Sequence, residues 1–205
     1  MNIDEIMRAA PVIPVLVLEG EADWAELARV FVGEGLPVLE VTLRTKAAVD
    51  AIRTMREVPG AIVGAGTVVE EWQLAEAKKA GSQFIVSPGL TDHLALAVAK
   101  ARIPYLPGIS TAGDVMRGLD LGLNRFKFFP AAASGGIPML KALTGPFADV
   151  RFCPTGGIRP DNVQEWLALE SVLCVGGTWL YAGPGDTTAE VAKRARALRD
   201  KLATN

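Results

Sequence analysis

The chain has 205 residues, of which 50% are apolar and 21% are charged, and its formal net charge is -2. This composition is typical of a soluble globular protein with enough chain for a substantial core. The near-neutral charge excludes a basic face for a nucleic-acid backbone, so we expect no nucleic-acid partner and only a small, locally bound anion.

The amino terminus carries no targeting signal of the usual kind. Residues 1–5 are acidic where a secretory signal is basic, and no apolar stretch approaches the ~18 residues that span a bilayer. We therefore expect a cytoplasmic protein without membrane contact. A short helix is predicted at residues 4–10.

Short β-branched runs alternate with amphipathic stretches along the rest of the chain. The first strand is predicted at residues 12–18 and is followed by a helix at 22–34. Seven further strands, each followed by a helical segment, are predicted at residues 38–43, 61–65, 83–86, 104–106, 125–129, 150–153 and 173–175. These units predict an α/β fold with one domain over residues 1–205, a single (β/α)8 TIM barrel with the N-terminal helix closing its bottom. Spacing alone also permits an open doubly wound sheet.

Polar side chains fall at the carboxyl ends of two predicted strands, where barrels carry their active sites. Strand alternation places Glu40, Thr42 and Arg44 on one face of the second strand. The same parity turns Lys127 and Phe129 of the sixth strand inward. We therefore expect a carboxylate, a guanidinium and an amine to meet in the interior.

Lys127 is surrounded in sequence by three of the seven phenylalanines. Burial disfavours the charged form of a lysine, and the neutral amine is the nucleophile that forms a Schiff base with a carbonyl compound. Arg44 would favour the neutral amine and Glu40 the ammonium, which leaves the balance open. The alternatives are a strand lysine that extends to the rim and a buried ion-pair network without chemistry.

Two glycine pairs follow the seventh and eighth predicted strands. Gly156 and Gly157 follow the seventh, and a second pair precedes Thr178. Loops at these positions bind phosphate in many barrels, because glycine lets backbone N–H groups approach the anion. The alternative is a pair of tight turns that require positive φ. The segment GAGT at residues 64–67 lacks the third glycine of a dinucleotide fingerprint and predicts a strand-end turn presenting Thr67.

The sequence offers little material for a metal site. His93 is the single histidine and is expected on the surface near a helix start. Cys153 and Cys174 lie in apolar segments without CxxC spacing, so we interpret them as core thiols. We expect neither a metal nor a cofactor.

Six segments in order resemble the 2-keto-3-deoxy-6-phosphogluconate and 4-hydroxy-2-oxoglutarate aldolases, over about residues 10–181. They are EVTLRT (40–45), GAGT (64–67), SPG (87–89), PGIST (107–111), FKFFPA (126–131) and RFCPTGGI (151–158). The resemblance implies a class I aldolase of the Entner-Doudoroff pathway, with a (β/α)8 barrel, no metal and a homotrimeric assembly.

The resemblance also implies roles for individual residues. Lys127 matches the Schiff-base lysine and Glu40 the general acid/base, whereas Arg44 and Thr67 match groups near the substrate carboxylate. The remaining matches are the phosphate-binding residues and the pocket residues: Gly156, Gly157 and Thr178 on the phosphate side, and Phe129, Thr155 and Pro88 in the pocket. Thr178 departs from the serine that relatives often carry, and its extra methyl group affects the expected substrate fit.

Two other functions compete with this interpretation. The first is another phosphosugar-acid aldolase, such as one acting on the phosphogalactonate epimer, with the same phosphate loops. The second is a non-catalytic barrel that binds sugar phosphates, in which Lys127 is only a charged ligand contact. Trapping with pyruvate and borohydride separates a Schiff-base enzyme from a binding protein.

Overall fold

The computed structural model describes residues 1–20 and 22–203. Within these residues, short parallel strands alternate with helices. The helices are Ile3–Arg8 (α1), Trp24–Gly33 (α2), Ala48–Met55 (α3), Glu71–Ala80 (α4), Asp92–Ala101 (α5), Ala112–Asp120 (α6), Gly136–Thr144 (α7), Val163–Leu167 (α8) and Thr188–Ala203 (α9). The strands are Val12–Leu16 (β1), Val38–Thr42 (β2), Ile62–Gly66 (β3), Ile85–Val86 (β4), Tyr105–Leu106 (β5), Gly108–Ile109 (β6), Arg125–Phe128 (β7), Arg151–Pro154 (β8) and Val175–Gly177 (β9).

The strands form two curled parallel sheets. The larger has the order β5-β4-β3-β2-β1-β9, and the smaller has the order β6-β7-β8. Two isolated parallel bridges, Phe152↔Val172 and Thr155↔Gly176, link β8 and its end to the segment that contains β9. The fold is therefore α/β with parallel strands, and side chains of the two sheets meet between them.

Helix ends follow local sequence signals. Asp23 caps α2 by accepting the Glu26 N–H, and Thr91 caps α5 in the same way. Gly81 ends α4 in the left-handed conformation that glycine adopts without steric cost. These caps explain why predicted helices occur near their expected positions. No helix in the described ranges is long and apolar enough to cross a membrane.

The apolar core is built from the strands and from one face of each helix. All five residues of β1 and all five of β2 are buried. Strands that are covered on both faces are expected to be apolar throughout, apart from residues with a specific partner. In β2 the exceptions are Glu40 and Thr42, and both have such partners.

All eight predicted strands are present, with shifted ends. The fifth is interrupted: β5 and β6 are separated by Pro107, which has no N–H for the ladder. The predicted range 104–106 therefore missed β6. The first strand ends at Leu16, short of the predicted residue 18, and β9 extends to Gly177, beyond the predicted residue 175.

The helix α1 lies at the amino end of β7. Asn2 and Glu5 form a capping box at its start, and Ile6 is buried against the core. Asp4 accepts a hydrogen bond from Arg125 Nε, at the first residue of β7, at 2.5 Å. This contact places the predicted N-terminal helix at the end of the strands opposite to Lys127.

Candidate active site

The centre of the candidate site is a buried pair formed by Lys127 and Glu40. Lys127 Nζ donates to Glu40 Oε1 at 2.9 Å and lies 3.3 Å from Oε2. The side chains are only 7% and 4% exposed, respectively. A buried ion pair of this kind contributes uncertain stability, because desolvation opposes the attraction. A chemical role therefore explains the buried Lys127–Glu40 pair better than a contribution to stability does.

Strand geometry brings the two groups together. Glu40 is the third residue of β2 and Lys127 the third residue of β7, and the two strands belong to different sheets. In the smaller sheet Lys127 is the register partner of Gly108 on one side and of Cys153 on the other. The predicted meeting of the carboxylate and the amine in the interior is therefore confirmed.

An aromatic ring lies beside the amine. The ring centroid of Phe129 is 5.3 Å from Lys127 Nζ, which is within cation–π range. Phe129 immediately follows β7 and is half-buried. The structure therefore brings Phe129 beside Lys127, and its pocket role stays a prediction.

Arg44 does not share the buried interior as predicted. It follows the end of β2, is exposed, and its Nε donates to Thr42 Oγ1 at 3.3 Å. The Thr42 hydroxyl in turn donates to the Leu16 carbonyl at 2.9 Å. The strand ends before Arg44, so the alternation that buries Glu40 and Thr42 does not extend to the guanidinium. Arg44 is instead placed at the exposed surface beyond the end of β2.

Thr67 and Pro88 follow the ends of β3 and β4. Thr67 has φ of 58°, a left-handed conformation that is uncommon outside glycine. Both residues are half-buried. The position of Thr67 matches the strand-end turn that the sequence predicts for residues 64–67.

The loop after β8 contains the predicted phosphate-binding glycines. Gly156 has φ of 97° and Gly157 has φ of 79°, so both use conformations that favour glycine. The loop is held in place because the Ala131 N–H donates to the Thr155 carbonyl at 2.8 Å and the Ala132 N–H donates to the Gly156 carbonyl at 3.0 Å. The tight-turn interpretation of these glycines therefore holds, and it is compatible with anion binding.

Thr155 and Thr178 differ in exposure. Thr155 is buried, and a Cβ added at its bridge partner Gly176 would overlap its hydroxyl. Thr178 immediately follows β9 and is exposed. Thr155 therefore contacts the loop from the buried interior, whereas the Thr178 side chain is exposed at the surface.

The two cysteines are buried free thiols, as predicted, and the two thiols interact with each other. The hydrogen bond with Cys153, burial and the nearby Glu40 charge raise the pKa of the Cys174 thiol well above its ordinary value. Cys153 is also the register partner of Lys127. No motif in the sequence indicates that these thiols lie at the site, although strand parity in residues 151–155 puts Cys153 on the same face as Thr155.

Two buried hydroxyl groups, those of Ser87 and Tyr105, support the loop that contains Pro88. Ser87 Oγ donates to the Gly89 carbonyl at 2.6 Å and lies 2.7 Å from the Tyr105 hydroxyl. Burial raises the pKa of Tyr105 to about 12. Because Ser87 already donates to Gly89, the proton between the two hydroxyls comes from Tyr105. No local sequence pattern predicts this contact, since Ser87 and Tyr105 belong to different βα units.

The histidine of the chain, His93, lies away from the candidate site. His93 is on the surface, in the first turn of α5, and its Nε2 lies 3.5 Å from Glu71 Oε1. The surface position expected for His93 is confirmed.

Comparison with known proteins identifies the family. The family model described as aldolase, KDPG and KHG aldolase, matches residues 3–193. The chain therefore belongs to the KDPG and KHG aldolase family, where KDPG is 2-keto-3-deoxy-6-phosphogluconate and KHG is 4-hydroxy-2-oxoglutarate.

Individual relatives match over nearly the full length. The KHG/KDPG aldolase of Escherichia coli strain K12 is 51% identical over 94% of this chain and 93% of its own. The crystal structure of the Zymomonas mobilis ZM4 KDPG aldolase with 3-phosphoglycerate has 50% identity and a TM-score of 0.93, covering 96% of this chain and 94% of that chain. The Legionella pneumophila KDPG aldolase, with pyruvate captured at low pH as a covalent carbinolamine intermediate, has 42% identity and a TM-score of 0.90, covering 97% and 98%.

Proposed function

We propose that this protein is a class I aldolase that cleaves KDPG to pyruvate and glyceraldehyde 3-phosphate through a Schiff base on Lys127. The observation that carries the proposal is the buried contact of Lys127 Nζ with Glu40 Oε1 at 2.9 Å. A lysine amine is a nucleophile that forms Schiff bases with carbonyl compounds, and the carboxylate beside it can accept and return protons. The pyruvate carbinolamine of the Legionella pneumophila relative supports the same chemistry.

We further propose that the two sheets close into one (β/α)8 barrel and that residues 1–205 form a single domain. In this arrangement β5 and β6 are two halves of one barrel strand, separated by Pro107. The bridges from Phe152 to Val172 and from Thr155 to Gly176 support closure between β8 and β9. The Asp4–Arg125 contact supports α1 as the element that closes the bottom. A single cooperative unfolding transition is expected for such a domain.

The first chemical step is attack of the neutral Lys127 amine on the C2 ketone of the substrate. The ammonium first loses a proton, and Glu40 Oε1 is close enough to accept it along the existing hydrogen bond. Addition gives a carbinolamine, and protonated Glu40 then returns its proton to the carbinolamine hydroxyl, which leaves as water and gives an iminium ion. The iminium withdraws electrons from the C3–C4 bond more strongly than the ketone.

Carbon–carbon cleavage follows from this electron withdrawal. Glu40 takes the proton of the C4 hydroxyl, directly or through a water, while the C3–C4 electron pair moves toward the iminium nitrogen. The aldehyde product, glyceraldehyde 3-phosphate, leaves and an enamine remains. Glu40 then gives this proton to C3 of the enamine, and hydrolysis of the resulting iminium releases pyruvate and regenerates the Lys127 amine.

We propose that the two anionic ends of the substrate bind at different strand ends. Arg44 and Thr67 would bind the carboxylate, since the guanidinium is exposed at the end of β2 and Thr67 follows β3. The phosphate would bind at the loops after β8 and β9, through the residues Gly156, Gly157 and Thr178. Phe129, Thr155 and Pro88 would line the pocket between these ends. The Zymomonas mobilis relative with 3-phosphoglycerate supports a phosphorylated ligand.

KHG is proposed as a second substrate, because the name of the Escherichia coli relative includes both compounds. The mechanism assigned to Lys127 and Glu40 applies equally to KHG, which lacks the phosphate. The family resemblance also supports a role in the Entner-Doudoroff pathway, a cytoplasmic location and a homotrimer. Light scattering of the purified protein and fractionation of its host cells test the last two proposals.

The decisive experiment is reductive trapping. Incubation with pyruvate and borohydride, followed by peptide mass mapping, is expected to label Lys127. Lys127→Arg should remain unlabelled, and Lys78→Arg, which replaces an exposed lysine on α4, should label normally. Absence of label at position 127 in the wild-type protein would refute the Schiff base and favour a non-catalytic sugar-phosphate-binding protein.

Substrate choice requires a separate assay. Pyruvate release is expected from KDPG and, more slowly, from KHG, because the phosphate contacts contribute only to KDPG binding. Faster release from the phosphogalactonate epimer than from KDPG would assign the alternative phosphosugar-acid aldolase activity instead.

A further inference from the structure

Gly66, the last residue of β3, lacks a side chain for a reason other than backbone conformation. Its φ lies outside the left-handed range that favours glycine, unlike those of Gly156 and Gly157. An alanine could therefore adopt the backbone conformation of Gly66. The reason must lie in the space around its Cα atom.

That space is occupied by the carboxylate of the candidate site. A Cβ added at Gly66 would overlap Glu40 Oε1 and would lie 2.6 Å from Glu40 Cγ and 2.8 Å from Cδ. Non-bonded carbon atoms pack at about 3.5–4.0 Å, so either the strand or the glutamate would have to move. Oε1 is also the atom that accepts from Lys127 Nζ at 2.9 Å.

The strand is held on both sides of Gly66. The Leu43 N–H donates to the Gly66 carbonyl at 2.8 Å, and Thr42 is the register partner of Gly66 in β2. Beyond the strand, the Val68 N–H donates to the Val86 carbonyl at 3.1 Å. Because these backbone hydrogen bonds hold β3 between β2 and β4, the glutamate side chain is the part that would move.

We propose that Gly66 is a positioning residue, which leaves the volume in which the Glu40 carboxylate reaches Lys127. This inference rests on the proposed function, because it assigns Gly66 an effect on catalysis only through Glu40. A methyl group at position 66 displaces the carboxylate from the amine, and proton transfer at the substrate slows. The lysine itself, on β7, keeps its position.

Gly66→Ala is the test, with Gly64→Ala as the matched control. Gly64 lies two residues earlier in β3, is also buried, and an added Cβ there would overlap the ring of Phe84. The readouts are exchange of the pyruvate methyl hydrogens in deuterated water, followed by NMR, and borohydride trapping at Lys127. The first requires proton transfer at C3, whereas the second requires only imine formation.

Gly66→Ala is expected to slow methyl exchange by about 10²-fold, the cost of misplacing a catalytic group by ~1 Å. Trapping at saturating pyruvate should remain complete. Gly64→Ala should lower thermal stability and leave exchange near the wild-type rate. Exchange at the wild-type rate in Gly66→Ala would overturn the inference, and so would equal slowing by both substitutions.

A double-variant cycle separates positioning from general damage. In a Glu40→Ala background the overlap is absent, so adding Gly66→Ala should cause no further loss of exchange or of stability. If Gly66→Ala alone fails to fold, the double variant should be as stable as Glu40→Ala, which itself leaves Lys127 without its carboxylate partner. A loss of exchange or of stability relative to Glu40→Ala would contradict the proposal. If wild-type Lys127 is not trapped, the proposed function fails, whereas normal trapping with unaffected exchange in Gly66→Ala refutes only the role of Gly66.

Discussion

Strand β7 carries two cations on the same face, two residues apart, and they have opposite environments. Arg125, at the amino end, donates through Nε to Asp4 of α1 and through Nη1 to the carbonyls of Asn124 and Asp149. Lys127, toward the carboxyl end, contacts Glu40 and the ring of Phe129. Arg125 links α1 to the strands, whereas Lys127 is held beside the Glu40 carboxylate.

The difference follows from the chemistry of the two cations. A guanidinium stays protonated in proteins and presents several donors in a fixed plane, which suits a structural contact with several acceptors. An amine can lose its proton and become a nucleophile, which suits a site with one nearby base. Under the proposed function, the amino ends of the strands are the structural end of this molecule, and the carboxyl ends are the reactive end.

The largest expected effect is at Lys127. Lys127→Ala should abolish pyruvate release and also lower stability by ~3–5 kcal/mol, because it leaves the buried Glu40 carboxylate without its partner. Lys127→Arg should also lack turnover but retain more of the stability, since it keeps a cation near Glu40. A coupled pyruvate assay and thermal unfolding measure the two effects. Residual turnover in either variant would contradict the role of Lys127 as the nucleophile.

Glu40→Gln is expected to reduce kcat by about 10² to 10⁴, because the amide cannot take the proton of the C4 hydroxyl. The amide oxygen can still accept a hydrogen bond from Lys127, so folding should be preserved. Steady-state kinetics with KDPG measure the effect. A rise in KM with unchanged kcat would make Glu40 a substrate contact instead of an acid/base.

Thr178→Ala should raise KM for KDPG by about tenfold, the cost of one hydrogen bond to a charged group. KM for KHG should change little, because that substrate has no phosphate. Thr178→Ser, which keeps the hydroxyl, is the matched control and should behave like the wild type. Equal changes for both substrates would place the phosphate elsewhere.

The smallest effect is expected at the structural end, from Asp4→Asn. The hydrogen bond from Arg8 and the contact with Arg125 lower the pKa of Asp4 below its ordinary value of 3.8. A lowered pKa in the folded state adds stability above the ordinary pKa, and that stability is lost as the pH falls through the folded-state pKa. The variant should lose at most about 1 kcal/mol at neutral pH and keep its kcat.

Unfolding curves as a function of pH check this prediction. The difference in stability between the wild type and Asp4→Asn should be constant near neutral pH and should disappear in acid, once Asp4 is protonated in both the folded and the unfolded chain. A clear loss of kcat in Asp4→Asn would contradict the separation of the two ends.

Much of the candidate site was predictable from local pattern. The period of two in a strand was enough to place Glu40 and Lys127 inward, because both lie within strands of regular geometry. The same rule failed for Arg44, since β2 ends at Thr42 and alternation has no meaning beyond the ladder. The predicted range of the fifth strand also missed β6, because Pro107 interrupts the hydrogen-bond ladder and a second short strand follows it.

The sequence by itself determined the order of the parallel α/β units, the inward parity of the reactive residues and the family to which the chain belongs. These properties depend on local periodicity and on motifs read along the chain. Only the tertiary structure decided that Glu40 Oε1 lies 2.9 Å from Lys127 Nζ, that Gly66 leaves room for this carboxylate and that Cys174 lies beside Cys153. Such contacts join strands that are distant in sequence, and they depend on how the sheets curl, which no local pattern encodes.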